Sequence, residues 1–201
     1  MKYRLLILIL IFFKINSLFS QVNASFNADT TVGCSPLVVN FTNTSTNSFS
    51  FFWDFDNGTT SILNNPSATF INPGFYTIKL VANGATGSDS IISIDYIQVL
   101  DKPSASFSYN ILSNCENDNF IDFTNTSLGY TSSIWDFGNG DTTNSINSTY
   151  TYQNSGNYPV TLVVYNNFGC SDDSTIGPLV IYPTPTLNAV TDSNFTCDSS
   201  Y

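Results

Sequence analysis

The sequence predicts an all-β protein, tandem seven-stranded β-sandwiches behind an export leader. Three observations predict it. Motifs recur at one spacing, apolar residues alternate with polar ones inside each copy, and the first 20 residues are unlike the rest.

Lys2 and Arg4 precede an unbroken apolar run of nine residues, Leu5 to Phe13. Small residues, Ser17 and Ser20, precede Gln21. A basic start, a short apolar run and small residues, in that order, read as a secretory signal peptide over 1–20. The run is too short to span a bilayer, so no membrane insertion is expected once the leader is removed. The rest of the chain keeps two basic residues, Lys79 and Lys102, against 15 acidic ones. That balance repels nucleic acid and anionic lipid. It suits solubility outside the cell and is compatible with cations or neutral glycans. Asp, Asn, Ser, Thr and Gly dominate the polar positions, as in turns and β-rich surfaces.

The repeat sets the organisation. F-T-N-T-S stands at Phe41–Ser45 and again at Phe123–Ser127, a shift of 82. W-D-F at Trp53–Phe55 and Trp135–Phe137 keeps that shift, as do Gly74-Phe75-Tyr76 and Gly156-Asn157-Tyr158. Ala24-Ser25-Phe26 answers Ala105-Ser106-Phe107 at a shift of 81. The expected divisions are 22–101 for the first copy, 102–183 for the second and 184–201 for the start of a third.

Within the second copy Tyr158, Val160, Leu162 and Val164 alternate with Pro159, Thr161 and Val163. In the first, Tyr76, Ile78, Leu80 and Ala82 do the same, and Phe51, Trp53 and Phe55 share a face. Alternation of this kind lays one face of a strand on a core. Turn signals separate the runs at Asn57-Gly58, Asn72-Pro73-Gly74, Asn139-Gly140 and Asn154-Ser155-Gly156. Short strands and frequent turns are the signature of an immunoglobulin-like sandwich. The expected core is Trp53, Phe55 and Tyr76 in one copy and Trp135, Phe137 and Tyr158 in the other.

Trp135–Gly140 reads W-D-F-G-N-G and Trp53–Gly58 reads W-D-F-D-N-G. With F-T-N-T-S before them, and Tyr150-Thr151-Tyr152 and Gly156-x-Tyr158-x-Val160-x-Leu162 after, these motifs resemble the PKD (polycystic kidney disease) domain family. The resemblance covers 22–183. It implies spacers, adhesion modules or accessory parts of exported enzymes.

Catalytic chemistry has little to work with. The chain has no His, and after the leader one Glu and two Lys. No Ser-His pair or imidazole ligand can be built. Asp54 and Asp136 recur at one motif position, as fold residues do, so no catalytic residue, metal site or cofactor is expected. Asp54-x-Asp56-Asn57-Gly58 and Asp136-x-x-Asn139-Gly140-Asp141 superficially resemble calcium loops. Neither ends in the bidentate acid such a loop needs, so both read as hairpin turns with Asp bonding backbone amides and Gly at positive φ. Trp53 and Trp135, in phase with Phe55 and Phe137, read as core rather than sugar platforms. Asp29-Thr30-Thr31, Asp89-Ser90-Ile91, Asp141-Thr142-Thr143 and Asp173-Ser174-Thr175 resemble a short bacterial O-glycosylation acceptor.

An exported chain can keep disulfides. Cys34, Cys115 and Cys197 occupy one repeat position, and Cys170 occupies another whose first-copy counterpart is Ser88. If seven strands run up and down, the two positions within one copy lie about a strand length apart, beyond the roughly 7 Å reach between α-carbons. Cys34 to Cys170, between copies, is the preferred pair, and Cys115 to Cys170 stays open as its rival. Together these features point to a secreted or cell-surface structural or adhesion module whose partners are surface proteins or extracellular glycans. The alternative is an accessory segment of a secreted hydrolase with its catalytic domain beyond residue 201.

Overall fold

The computed structural model describes residues 21–115 and 118–184, and among them every regular element is a β-strand. The leader expected over 1–20 lies outside the described residues, as does all of the expected third-copy start except Thr184.

The first copy supplies β1 (Phe26–Ala28), β2 (Val32–Cys34), β3 (Leu37–Asn43), β4 (Ser50–Asp54), β5 (Thr60–Ser61), β6 (Ser67–Phe70), β7 (Gly74–Gly84) and β8 (Gly87–Leu100). They form two sheets, β1-β3-β6 and β2-β8-β7-β4-β5. The second copy supplies β9 (Phe107–Cys115), β10 (Asp118–Asn125), β11 (Ser132–Asp136), β12 (Thr142–Thr143), β13 (Ser148–Tyr150), β14 (Gly156–Tyr165) and β15 (Ser171–Ile181). Its sheets are β13-β10-β9 and β12-β11-β14-β15. Each copy therefore divides its strands between two sheets in the same way, with one exception.

The exception is the first strand. In the second copy β9 pairs with β10 along its whole length, as far as Cys115 opposite Asp118. In the first copy the equivalent stretch breaks after Ala28, and β2 leaves for the other sheet, where it pairs in parallel with the end of β8. Local side chains make the break. Asp29 accepts from the Asn40 backbone and side-chain nitrogens at 2.9 and 2.7 Å, which ends β1. The Thr30 hydroxyl turns onto the Val32 carbonyl at 2.9 Å. Gln98 and Ser35 amides then close the new pairing onto Thr31 and Leu100 at 2.8 and 2.9 Å. Cys34 and Cys115, equivalent in sequence, so end strands of different sheets.

The chain separates into two compact units that cut across the repeats. One runs through Asp29, Val39–Ala68 and Tyr76–Tyr96, and the other takes Thr30–Val38, Thr69–Phe75 and Ile97 onward. In the first, Phe26 meets Trp53 edge-on at 5.3 Å between ring centroids, and Phe41 lies 5.2 Å from Phe55. Ile78, Leu80 and Ala82 are the buried, inward half of the alternating strand β7, and Ala82 packs with Val22 and Ala24. In the second, Phe107 meets Trp135 edge-on at 5.0 Å, and Val160, Leu162 and Val164 of β14 take the place of the β7 trio.

Trp53, Phe55, Trp135 and Phe137 are buried. Tyr76 and Tyr158, expected in the core, are half-buried. Each opens its strand, at the sandwich rim, where a phenol can bury its ring and keep its hydroxyl on a polar partner. Tyr158 stacks on Tyr152 at 4.2 Å and donates to the Asn154 carbonyl at 3.0 Å.

Trp135→Ala removes a wholly buried indole from the centre of its cluster. The expected loss is about 3–5 kcal/mol, against about 5–15 kcal/mol for a whole domain. Denaturant titration should show the second-copy transition moving to much lower denaturant and the first-copy transition moving less.

Candidate functional site

The residues with chemical potential are the motif tryptophans, the aspartates beside them and the cysteines, and the fold engages each of them. The indole Nε1 of Trp53 donates to the Leu63 carbonyl at 2.9 Å, and that of Trp135 donates to Ser145 at 3.1 Å, the same bond one repeat on. Asp54 Oδ1 accepts from the Asp56 amide at 3.0 Å, and Asp136 Oδ1 accepts from Gly138 at 2.8 Å. Asn57 and Asn139 each accept from the amide two residues on, at 3.0 and 3.1 Å. Gly58 and Gly140 sit at φ of 82° and 96°, which only glycine adopts without strain. These are the turns expected from sequence. Among the described residues no group of three or more His, Cys, Asp or Glu side chains is placed to hold a metal ion.

The two turns differ at one position, and the difference is compensated. Gly138 has φ of 76°, and a β-carbon there would meet the Pro159 carbonyl oxygen at 2.3 Å. The first copy has Asp56 at that place, with φ of 58°. Pro159 has no amide hydrogen to satisfy. Its counterpart Thr77 has one, and donates it to Asp56 Oδ2 at 3.1 Å.

The second copy also carries a polar aromatic cluster that the first lacks. Phe137 and Tyr150 stack at 3.9 Å with 12° between planes. The Tyr150 hydroxyl donates to Asp141, and Asn139 Nδ2 reaches that hydroxyl at 2.8 Å. Burial, then the bond to Asp141, pushes the Tyr150 pKa up. Ala68 and Thr59 stand at the positions of Tyr150 and Asp141 in the first copy. Beside the cluster, Asn119 pairs its side-chain amide with the Tyr152 backbone, Nδ2 donating to the carbonyl at 2.5 Å and Oδ1 accepting from the amide. The Tyr152 hydroxyl donates to the Phe137 carbonyl at 2.9 Å, and burial pushes its pKa up. Sequence reasoning left Tyr152 out of the core, although the Tyr150-x-Tyr152 spacing signals it. Nothing in the composition signals Asn119.

A shallow depression of about 250 Å³ is lined by Asp122, Phe123, Thr124, Asn147, Ser148 and Thr149. The Asp122 carboxylate inside it already accepts from Thr149 Oγ1 at 2.8 Å.

Cys34 and Cys170 form a disulfide with α-carbons 5.7 Å apart, across a sequence separation of 136. The preferred pairing is therefore the one present. Around the same turn, Asn166 Nδ2 donates to the Asp101 carbonyl at 2.8 Å, and Asp172 accepts from Lys102 and from the Ala105 amide, both at 2.9 Å. The Ala105 amide first, and Lys102 second, hold the Asp172 carboxyl below the usual carboxylate range.

Set against known proteins, the sequence profile of the PKD domain matches residues 21–99 and 107–177. The chain belongs to the PKD domain family. In structure it is similar to the PKD1 domain from the Vibrio cholerae metalloprotease PrtV, at 29% identity over 40% of this chain and 98% of that one, with a TM-score of 0.36. It is also similar to the fibronectin(III)-like modules of Clostridium thermocellum CbhA, at 13% identity over 84% of this chain and 100% of that one, with a TM-score of 0.39. No curated protein matches the chain. The two matched stretches hold both W-D-F turns, so the recurring bonds described above are those of two PKD repeats. PKD domains are in general non-catalytic modules.

Two outcomes follow from this geometry. Gly138→Asp alone should destabilise the second PKD repeat by about 1–3 kcal/mol, the scale of a residue held in a sparsely populated backbone region. Adding Pro159→Thr supplies the amide hydrogen, and a double-mutant cycle by urea denaturation should show the pair losing less than the sum. The second outcome concerns acid. Asp172 has a folded pKa below its unfolded value, so its contribution is present above about pH 4. It is lost as pH falls through the depressed folded value. Melting curves of the wild-type chain should drop over that window, and Asp172→Asn should flatten the acid limb.

Proposed function

We propose that the chain is a non-catalytic extracellular module, a spacer or adhesion array of a bacterial surface or secreted protein, with PKD repeats over 22–101 and 102–183. The observation that carries this reading is the recurrence of polar bonds at the repeat spacing. The indole, the turn aspartate and the turn asparagine make the same internal bonds in both copies. A side chain used identically in every copy serves the scaffold, whereas a catalytic centre needs one constellation of its own. The disulfide supports an oxidising compartment outside the cytosol. Surface proteins or extracellular glycans are the partners this reading implies.

The test is an epitope tag placed after Gly87, in the exposed turn that opens β8, in the native host. Antibody should label intact cells, or the tagged chain should be found in the medium. Tag confined to lysed cells would defeat the reading. Covalent continuation into a hydrolase, seen as hydrolytic activity that co-purifies with the tag, would favour the accessory alternative.

A further inference from the structure

We propose that the Cys34–Cys170 disulfide makes the chain a nearly inextensible tether by diverting tension around both PKD repeats. The inference rests on the spacer reading, because only a chain held at two points carries tension.

The path of force follows covalent bonds. Tension that enters before Cys34 and leaves after Cys170 has two routes between them. One is the polypeptide, with a sequence separation of 136, and the other is the disulfide, with α-carbons 5.7 Å apart. The shorter route goes taut first and takes the force. The residues inside the loop include β3 to β14, and so both W-D-F turns and both tryptophans. While the bond holds, unfolding of these residues adds no length between the two ends.

The segments left in the path have little length to give. Cys34 ends β2, and Cys170 immediately precedes β15, which runs Ser171–Ile181. A strand already rises about 3.3 Å per residue, close to the limit of about 3.6 Å for a fully drawn chain. Loss of the ladder between β14 and β15 therefore frees almost no extra length. Without the disulfide the same force would unravel the loop, and about 450–490 Å would be released at about 3.3–3.6 Å per residue.

The position of the cysteines makes this arrangement. A bond between the two ends of one repeat would shield that repeat alone. Cys170 instead lies in the turn between β14 and β15, and Cys34 at the end of β2, so a single bond encloses nearly all of both matched stretches. The counterpart of Cys170 in the first repeat is Ser88, and no second bond is placed there to divide the loop.

Single-molecule stretching of the full chain, tethered through its two termini, tests the proposal. The oxidised protein should lack the unfolding steps that the loop would give. Adding a phosphine reductant to a molecule held under tension supplies two electrons and, with two protons from water, converts the bond to two thiols. The tether should then lengthen by about 450–490 Å. Cys34→Ser with Cys170→Ser should show the same lengthening without reductant. Should that variant fold poorly, reduction of the wild-type chain under load remains decisive. Oxidised wild-type protein that releases the full loop length would overturn the proposal, as would peptide mapping that finds Cys34 unbonded to Cys170. A chain that resists stretching but never reaches the cell exterior would leave the tether intact and refute the spacer reading alone.

Discussion

A buried indole N–H has to donate to something, and the fold is arranged around that requirement. A buried donor left unpaired costs about 1–3 kcal/mol. Trp53 and Trp135 are wholly buried, and each finds a backbone carbonyl ten residues on, at Leu63 and at Ser145. Those carbonyls belong to the stretches that leave β5 and β12 for β6 and β13, where the chain passes from one sheet to the other. The bond thus fixes the crossing between sheets, and the ring beside it fills the space between them. Aspartate next in sequence folds the following turn back, which returns the chain as β5 or β12. One motif therefore sets a core residue, a sheet crossing and a turn.

The two repeats show which parts of this arrangement are rigid and which can be exchanged. Asn43 and Asn125 each accept from the amide two residues on, and each donates its own amide to an asparagine 22 residues later, all at 2.9 Å. That bond pattern is unchanged between copies. Elsewhere the residues change and the interaction survives. Gly138 beside Pro159 corresponds to Asp56 beside Thr77, where an added amide hydrogen is matched by an added carboxylate. Such exchanges are what cross-strand pairing demands. A donor added on one strand is matched by an acceptor added on the other.

Much of the fold was legible in the residues because recurrence and alternation report on burial directly. Trp53 on β4 and Phe55 just beyond it are in phase, and so are Val160, Leu162 and Val164 on β14, and burial follows that phase. What escaped depends on contacts between segments far apart in sequence. The move of β2 to another sheet turns on Asp29 meeting Asn40 and on Ser35 meeting Leu100. The buried Asn119 is readable only once Tyr152 is known to lie against it, 33 residues on. Tyr76 and Tyr158 kept the phase of their strands but stand near strand ends, so they are only half-buried, Tyr158 against the edge of its core cluster. Of the candidate site, recurrence made the W-D-F turns legible, and covalent reach favoured Cys34 over Cys115 as the partner of Cys170 without excluding the latter.

The disulfide also changes what it means for either repeat to unfold. With the whole chain unfolded, closing a loop of 136 residues removes entropy equivalent to about 5 kcal/mol. That term is shared by both repeats and belongs to neither. Consider the second repeat unfolding while the first stays folded. As long as the pairing of β2 with β8 holds through that step, Cys34 stays opposite Leu100. The unfolded loop runs only from Leu100 to Cys170, and its closure is worth about 4 kcal/mol. Most of the constraint is therefore retained when one repeat melts alone, and the folded first repeat stabilises the second by holding one end of its loop. The linkage acts through the unfolded ensemble. It would persist even if the native contacts of the two repeats were wholly independent.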